Sequence, residues 1–144
     1  AEPALDVAAG VPDVRFARPA MRLCQDPLPQ VRARAAALAG AVGSEESVGR
    51  LQTLVRDEDA DVRAAAAAAL GRLGHWPSAP IIAPLLRDRA WIVRSQSALA
   101  LRSLGSPGLL YLRKALGDED PFAADISRQV LDLPDSSAQR ERWT

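Results

Sequence analysis

Hydrophobic and polar positions recur along the chain with the period of an α-helix. In residues 44–56 the apolar side chains are three or four positions apart, which predicts an amphipathic helix that Ser44 can cap. Residues 60–73 carry a second stripe of the same period, and Gly74 follows it, where glycine commonly ends a helix. The acidic segment 57–61 between the stripes is typical of a turn. The pattern predicts a unit of two helices.

This two-helix unit returns along the chain at a fixed spacing of 31 residues. Four independent sets of positions share that spacing, which indicates an internal repeat. The sets are Gln30-Val31-Arg32 with Asp61-Val62-Arg63 and Ile92-Val93-Arg94; Asp26, Asp57 and Asp88; Gly43, Gly74 and Gly105; and Leu23, Leu54 and Leu85. A fourth copy follows with one residue deleted, and it has Ala123-Ala124 where the others have Val-Arg.

The repeat predicts one domain that extends over residues 1–144. Its four repeats are expected at 15–43, 44–74, 75–105 and 106–133. Residues 1–14 are interpreted as a partial repeat or cap, and residues 134–144 as a tail or half repeat. Because the sequence starts at Ala1 rather than at Met, we expect a processed chain or a piece of a larger parent chain.

One stretch of the second unit carries a family resemblance. The string Leu54-Val55-Arg56-Asp57-Glu58-Asp59-Ala60-Asp61-Val62-Arg63 precedes an alanine run and Leu70-Gly71-Arg72-Leu73-Gly74. It resembles the HEAT-like repeat of the bilin-lyase type, and the resemblance covers roughly residues 15–133. It implies an all-α fold, an α-solenoid in which about four helix pairs stack into a right-handed superhelix.

The same resemblance implies a structural ladder between adjacent repeats, formed by the aspartate of each turn and the arginine that follows it. The ladder residues are then Asp26, Asp57 and Asp88 on one side and Arg32, Arg63 and Arg94 on the other.

Composition supports the helical prediction and narrows the functions. Alanine and leucine dominate, whereas there are only three Trp, two Phe and one Tyr, so strand-favouring residues are sparse. Eighteen basic and eighteen acidic residues cancel, which argues against a nucleic-acid partner. No apolar run approaches the ~20 residues that a membrane span needs. We expect a cytoplasmic protein.

The residues that could carry chemistry are few and scattered. His75 is the single histidine, and it follows a helix-ending glycine, which favours a loop residue over a general base. Cys24, the single cysteine, falls on an apolar helix stripe, where a buried thiol is ordinary. The carboxylates of 57–61 do not have the spacing of an EF-hand loop. The sequence therefore predicts no catalytic residue, no metal site and no cofactor.

A partner surface is expected on the concave side of the solenoid, which second helices line. If Val62 is the centre of the buried stripe, positions 64, 67, 68 and 71 face the groove. The predicted partner-binding residues are Ala33, Ala36, Ala37, Ala64, Ala67, Ala68, Ser95, Leu99 and Arg102. This strip is apolar in the first two units and becomes polar in the last two. An alternative is that the alanines are merely good helix formers.

Trp91 is a further candidate, since the other units have Pro29, Ala60 or Pro121 at its position. A large aromatic there suggests a partner contact, and packing against the next repeat is the alternative. The favoured function is a non-catalytic protein–protein interaction module, a scaffold or adaptor. Its alternative is a regulatory or accessory lobe of a larger enzyme, including a bilin-lyase-like subunit. A HEAT-like DNA glycosylase using Trp91 and Arg94 is more remote.

Overall fold

The computed structural model describes residues 17–134, and within that range the chain forms helices and short turns without a β-strand. The prediction of an all-α solenoid is confirmed. The α-helices are α1 (Ala17–Leu23), α2 (Pro29–Val42), α3 (Glu45–Leu54), α4 (Ala60–Leu73), α5 (Ala79–Ile82), α6 (Trp91–Ser103), α7 (Ser106–Ala115) and α8 (Pro121–Leu131).

The helices form two layers. The second helices of the units, α2, α4, α6 and α8, lie side by side, and α4 contacts α2 on one side and α6 on the other. The first helices α1, α3 and α7 each pack against the second helix that follows them. Helices α3 and α7 also contact the second helix of the preceding unit. No unit could bury its apolar stripe alone, and stacking the units buries it against neighbours.

The first helix of the third unit is interrupted. Short 3-10 helices, Trp76–Ser78 and Ala83–Arg87, lie on either side of α5. Pro80 and Pro84 lack the backbone N–H that a continuous α-helix would use. The interrupted helix keeps its apolar contacts with the core, as the full burial of Ile82 shows.

The ends of the helices follow the sequence signals. Ser44 accepts a hydrogen bond from the backbone N–H of Ser47 at 3.1 Å and so caps α3. Asp59 caps α4 in the same way, through the N–H groups of Asp61 and Val62. After the second helices of the first two units, Gly43 and Gly74 have φ of 69° and 67°. This left-handed conformation is one that glycine adopts without strain.

Neighbouring second helices approach closely at small residues. A Cβ atom at Gly40 would lie 2.8 Å from the Cβ of Ala69, and one at Gly71 would lie 2.8 Å from the Cα of Ala100. These separations are shorter than van der Waals contact, so only glycine fits at either position. The α2–α4 and α4–α6 interfaces are therefore the most extensive in the molecule.

The predictions made for the two ends of the chain lie outside the described residues. They concern the partial repeat or cap at 1–14 and the tail or half repeat that begins at 134. Of the tail, the structure describes Pro134.

The close approach of α4 to α6 makes a testable prediction for Gly71. Gly71→Ala should lower the free energy of unfolding by about 1–3 kcal/mol, because the added methyl group overlaps the backbone of Ala100. Gly49→Ala is the matched control, since nothing lies within 4 Å of a Cβ at that helical position. The control should be stabilised by about 0.5–1 kcal/mol. Urea denaturation of both variants measures the difference, and equal effects would contradict the close approach.

Candidate functional site

The second helices expose one narrow side to solvent. Leu99 on α6 belongs to this side, whereas Leu101 is fully buried, and its backbone lies against Gly108 of the first helix α7. We call the exposed side the second-helix face. Its members, exposed or half-buried, are Gln30, Arg34, Ala37 and Ala41 on α2, Asp61, Ala65, Ala68 and Arg72 on α4, Ile92, Gln96, Leu99 and Ser103 on α6, and Phe122 and Gln129 on α8.

Part of the predicted partner surface lies elsewhere. The prediction that Ala36, Ala64 and Ala67 face a groove is wrong, because all three are buried between neighbouring second helices. The same side of the second helices carries Ala33, Ser95 and Arg102, which are half-buried.

The cause of this error is the assumed centre of the buried stripe. An inner second helix such as α4 has neighbours on three sides: its own first helix and the second helices of both adjacent units. On α4 the buried arc is therefore wide and centred near Arg63 and Leu70 rather than on Val62. The exposed side of α4 is therefore rotated about the helix axis by roughly one residue, or about 100°, from the side that the sequence predicted. Since every residue of α4 from Ala64 to Ala69 is alanine, the exposed side is marked by polar residues only near the two ends of the helix, at Asp61 and Arg72.

Ala37, Ala68 and Leu99 do lie on the second-helix face. The expected gradient along that face is reversed, however. Its first two units carry the polar residues Gln30, Arg34, Asp61 and Arg72 beside small alanines, whereas its large apolar side chains belong to the last two units.

The exposed apolar side chains of the last two units form an apolar patch, which we define as Trp91, Ile92, Leu99 and Phe122. Trp91 is 62% exposed and Phe122 is 65% exposed. Ile92 and Phe122 occupy equivalent positions on adjacent helices, which are typically 8–10 Å apart. Leu99 follows Ile92 by two helical turns, about 10 Å along α6. Sequence analysis identified Trp91 and Leu99 but missed Ile92 and Phe122.

A signal for the two missed residues exists in the repeat alignment. Ile92 and Phe122 stand where the first two units have Gln30 and Asp61. Once the exposed side of the repeat is known, a change from a polar to a large apolar residue at an exposed position indicates a candidate contact site.

The interface between α6 and α8 is less extensive than the two before it. Arg102 occupies the position that Gly40 and Gly71 hold in the earlier units, so α8 cannot approach as closely. Its guanidinium instead donates to carbonyl groups after the end of α8, at 3.0 Å to Leu133 and 2.9 Å to Pro134. Arg102 thus serves the junction of the last two units, and its role in partner binding stays a prediction.

Arginine and aspartate side chains connect the turns of the first three units. Arg63 donates to both carboxylate oxygens of Asp88 in the next unit, at 2.9 and 3.0 Å. The same guanidinium donates to the carbonyl groups of Asp57 and Glu58 in its own turn, at 2.8 and 3.1 Å. One arginine therefore fixes its own turn and holds the following turn by a bidentate pair.

The preceding unit repeats this geometry. Arg32 binds both carboxylate oxygens of Asp57 at 2.9 and 3.0 Å and the carbonyl groups of Asp26 and Pro27. Asp26 itself accepts from the N–H of Leu28 at 2.9 Å, which shapes the first described turn. Each arginine of the first two units thus pairs with the aspartate of the unit that follows.

The third arginine departs from this arrangement. Arg94 donates to the carbonyl of Asp88 and lies 3.5 Å from a carboxylate oxygen of Asp120. Its guanidinium carbon is 5.2 Å from the centroid of the Phe122 ring, a cation–π contact. Asp118, the residue equivalent to Asp88, is bound by the exposed Arg87 at 2.7 Å instead. The deletion in the fourth unit accompanies this change.

Asp57 and Asp88 are held in their charged form. Burial by itself would raise the pKa of each carboxyl, but hydrogen bonds from Arg32 to Asp57 and from Arg63 to Asp88 outweigh it. Backbone N–H groups within each turn lower the pKa further. The pKa of both carboxyls therefore lies below the ordinary value of 3.8.

The residues considered for catalysis lie in different units, and each interacts with its own neighbours in the fold. His75 precedes the first 3-10 helix, and its Nδ1 lies 2.7 Å from the hydroxyl of the buried Ser78. Cys24 is buried, which raises the pKa of its thiol. Within residues 17–134, no three His, Cys, Asp or Glu side chains are grouped so that they could hold a metal ion.

Comparison with known families agrees with this architecture. The pattern of the HEAT repeats family matches residues 17–102 and again residues 50–131, so the chain belongs to that family. A comparison with curated proteins found no match. In the part of the chain that the structure describes, no helix has both the length and the apolar character to cross a bilayer.

The ladder can be tested at Arg63. Arg63→Ala should lower the free energy of unfolding by about 3 kcal/mol, because Asp88 would keep a largely buried charge without its partner. Arg63→Lys should restore part of the loss, since a lysine retains the charge but not the bidentate geometry. Arg87→Ala is the control, and it should cost much less because that side chain is 56% exposed. Denaturation midpoints that fall equally for Arg63→Ala and Arg87→Ala would contradict the structural role.

The lowered pKa of Asp57 and Asp88 predicts acid sensitivity. A carboxyl with a lower pKa in the folded state contributes stability that is fully present above its unfolded pKa and is lost as the pH falls through the folded value. We expect stability to decrease from about pH 5 downward. The double variant Asp57→Asn, Asp88→Asn should be less stable at pH 7 and show a shallower decrease. Urea titrations across this range measure both slopes, and Glu46→Gln, on an exposed side chain, should leave the slope unchanged.

Proposed function

We propose that this chain is a non-catalytic protein-binding module whose partner docks on the second-helix face at the apolar patch. Membership of the HEAT repeats family supports the general class, since stacked helix pairs offer extended binding surfaces. The observation that carries the proposal is the exposure of Ile92, Leu99 and Phe122 on the second-helix face, with Trp91 exposed next to Ile92 at the start of α6. Exposed apolar clusters of this kind commonly mark protein contact sites.

The composition of the patch favours a protein partner. Tryptophan is enriched among the residues that dominate binding energies, and Trp91 and Phe122 offer large surfaces that a partner could desolvate. Trp91 precedes Arg102 by about three helical turns, so it lies on the side of α6 from which Arg102 reaches Leu133 of the fourth unit. The two aromatic residues therefore flank the same junction. A ligand seated there would contact both units at once.

The interactions of the polar residues support a non-catalytic role. Arg32, Arg63, Asp57 and Asp88 pair with one another and with backbone groups, which indicates structural use. Burial disfavours the thiolate that Cys24 would need as a nucleophile.

Two alternatives from the sequence make different predictions. An accessory lobe of a larger enzyme, including a bilin-lyase-like subunit, would use the same face but would capture a catalytic chain or domain. A DNA glycosylase would need Arg94 for its substrate, whereas that guanidinium contacts Asp88, Asp120 and Phe122. We therefore favour the binding module.

A photocrosslinking amino acid tests the docking face. Placed at Leu99, on the second-helix face, it should yield a crosslinked partner from a lysate of the source cells. Placed at Leu110, an exposed leucine on the first-helix layer, it should not. Mass spectrometry of the product identifies the partner and separates an adaptor from an enzyme lobe.

The purified partner then allows a quantitative measurement. Phe122→Asp should weaken its affinity at least tenfold, or about 1.4 kcal/mol, because a charge would enter the apolar contact. The thermal midpoint should stay close to that of the unaltered chain, since Phe122 is exposed. Crosslinking from Leu110 alone, or full affinity of the Phe122→Asp variant, would sink the proposal.

A further inference from the structure

The apolar patch lies between groups of acidic side chains. In the second unit, Glu58 of the turn and Asp61 of the first turn of α4 are exposed. In the turn of the fourth unit, Glu119 is exposed. The turn of the third unit, which directly precedes Trp91, contributes one exposed base, Arg89. All of these residues stand at the same end of the second-helix layer as Ile92 and Phe122.

Several other charges near the patch are paired within the chain. Arg87 pairs with Asp118, and Arg128 pairs with Asp125 at 3.4 Å. Arg94 lies beside Asp120 at 3.5 Å. Arg72, the remaining base of α4 on the second-helix face, is three helical turns beyond Asp61, about 16 Å along the helix. The turns beside the patch and the first turn of α4 therefore carry three exposed carboxylates, Glu58, Asp61 and Glu119, and two exposed bases, Arg56 and Arg89. Glu58 also lies 3.9 Å from Arg32, but its side chain remains 92% exposed and open to a partner.

We propose that the apolar patch docks a basic amphipathic peptide segment. This inference rests on the proposed function and adds the chemistry of the partner. Apolar side chains of the segment would cover Trp91, Ile92 and Phe122, while its lysine or arginine residues would lie against Glu58, Asp61 and Glu119. Opposite charges around an apolar contact speed association and exclude partners of the wrong sign.

The geometry favours a helical segment. Ile92 and Leu99 are about 10 Å apart along α6, which equals two turns of an opposing helix. A partner helix lying along α6 would thus present apolar residues at positions i, i+3 or i+4, and i+7. Its basic residues would flank this stripe and reach the acidic turns on either side.

A pair of synthetic peptides tests the proposal directly. Both have about 18 residues and the same leucine stripe with helical spacing, and the other positions carry Lys and Arg in one peptide and Glu in the other. Fluorescence anisotropy with the full chain should detect binding of the basic peptide alone. Raising the ionic strength from about 0.05 to 0.3 M should weaken that binding, since salt screens exposed charges.

Variants of the chain separate the two contributions. Phe122→Ala and Asp61→Lys should each weaken binding of the basic peptide about tenfold. Two matched controls should leave it unchanged. Trp76→Ala removes a tryptophan that is 61% exposed but lies in the interrupted first helix of the third unit. Glu46→Lys makes a charge reversal at an exposed position of α3.

Four outcomes would overturn the inference. Equal binding of both peptides would show that charge does not select the partner. Sensitivity to Trp76→Ala or Glu46→Lys as large as that of the patch variants would place the peptide elsewhere. Self-association of the chain that Phe122→Ala abolishes would make a second copy the occupant. If the crosslinked natural partner depends on Phe122 while neither peptide binds, the proposed function stands and this inference fails.

Discussion

The close contact between neighbouring second helices is the constraint on which the rest of this structure depends. At Gly40 the methyl group of Ala69, and at Gly71 the backbone and methyl group of Ala100, leave no room for a side chain. The second helices therefore pack along their length, with alanines filling the contact, and only a narrow side of each remains exposed. Small residues in this protein act as packing surfaces between units, and the exposed second-helix face lies about a quarter turn away from them.

The arginine ladder adds order that packing alone does not supply. Apolar contacts between alanines are weakly directional, so they permit neighbouring helices to slide. A bidentate pair, such as Arg63 with Asp88, fixes one turn relative to the next at hydrogen-bond precision. The buried pair adds specificity of register, and its net contribution to stability is reduced by the desolvation of both charges.

The repeat made most of the fold predictable from the sequence. The positions of Gly43 and Gly74 and the capping residue Ser44 follow from local physics and were read correctly. The candidate site was harder, because it depends on which side of a uniform alanine helix faces solvent. That side is set by contacts with three neighbouring helices, and the residues from Ala64 to Ala69 carry no mark of it. The interruption at Pro80 and Pro84 was likewise hidden by a continuous apolar stripe.

Replacement of glycine by Arg102 has a mechanical consequence. The junction between α6 and α8 lacks the close glycine contacts of the earlier units, so we expect it to resist bending less than they do. Trp91 and Phe122 lie on the two sides of this compliant joint. A ligand that grips both residues would therefore set the angle between the last unit and the others, and the curvature of the solenoid would report whether the ligand is bound.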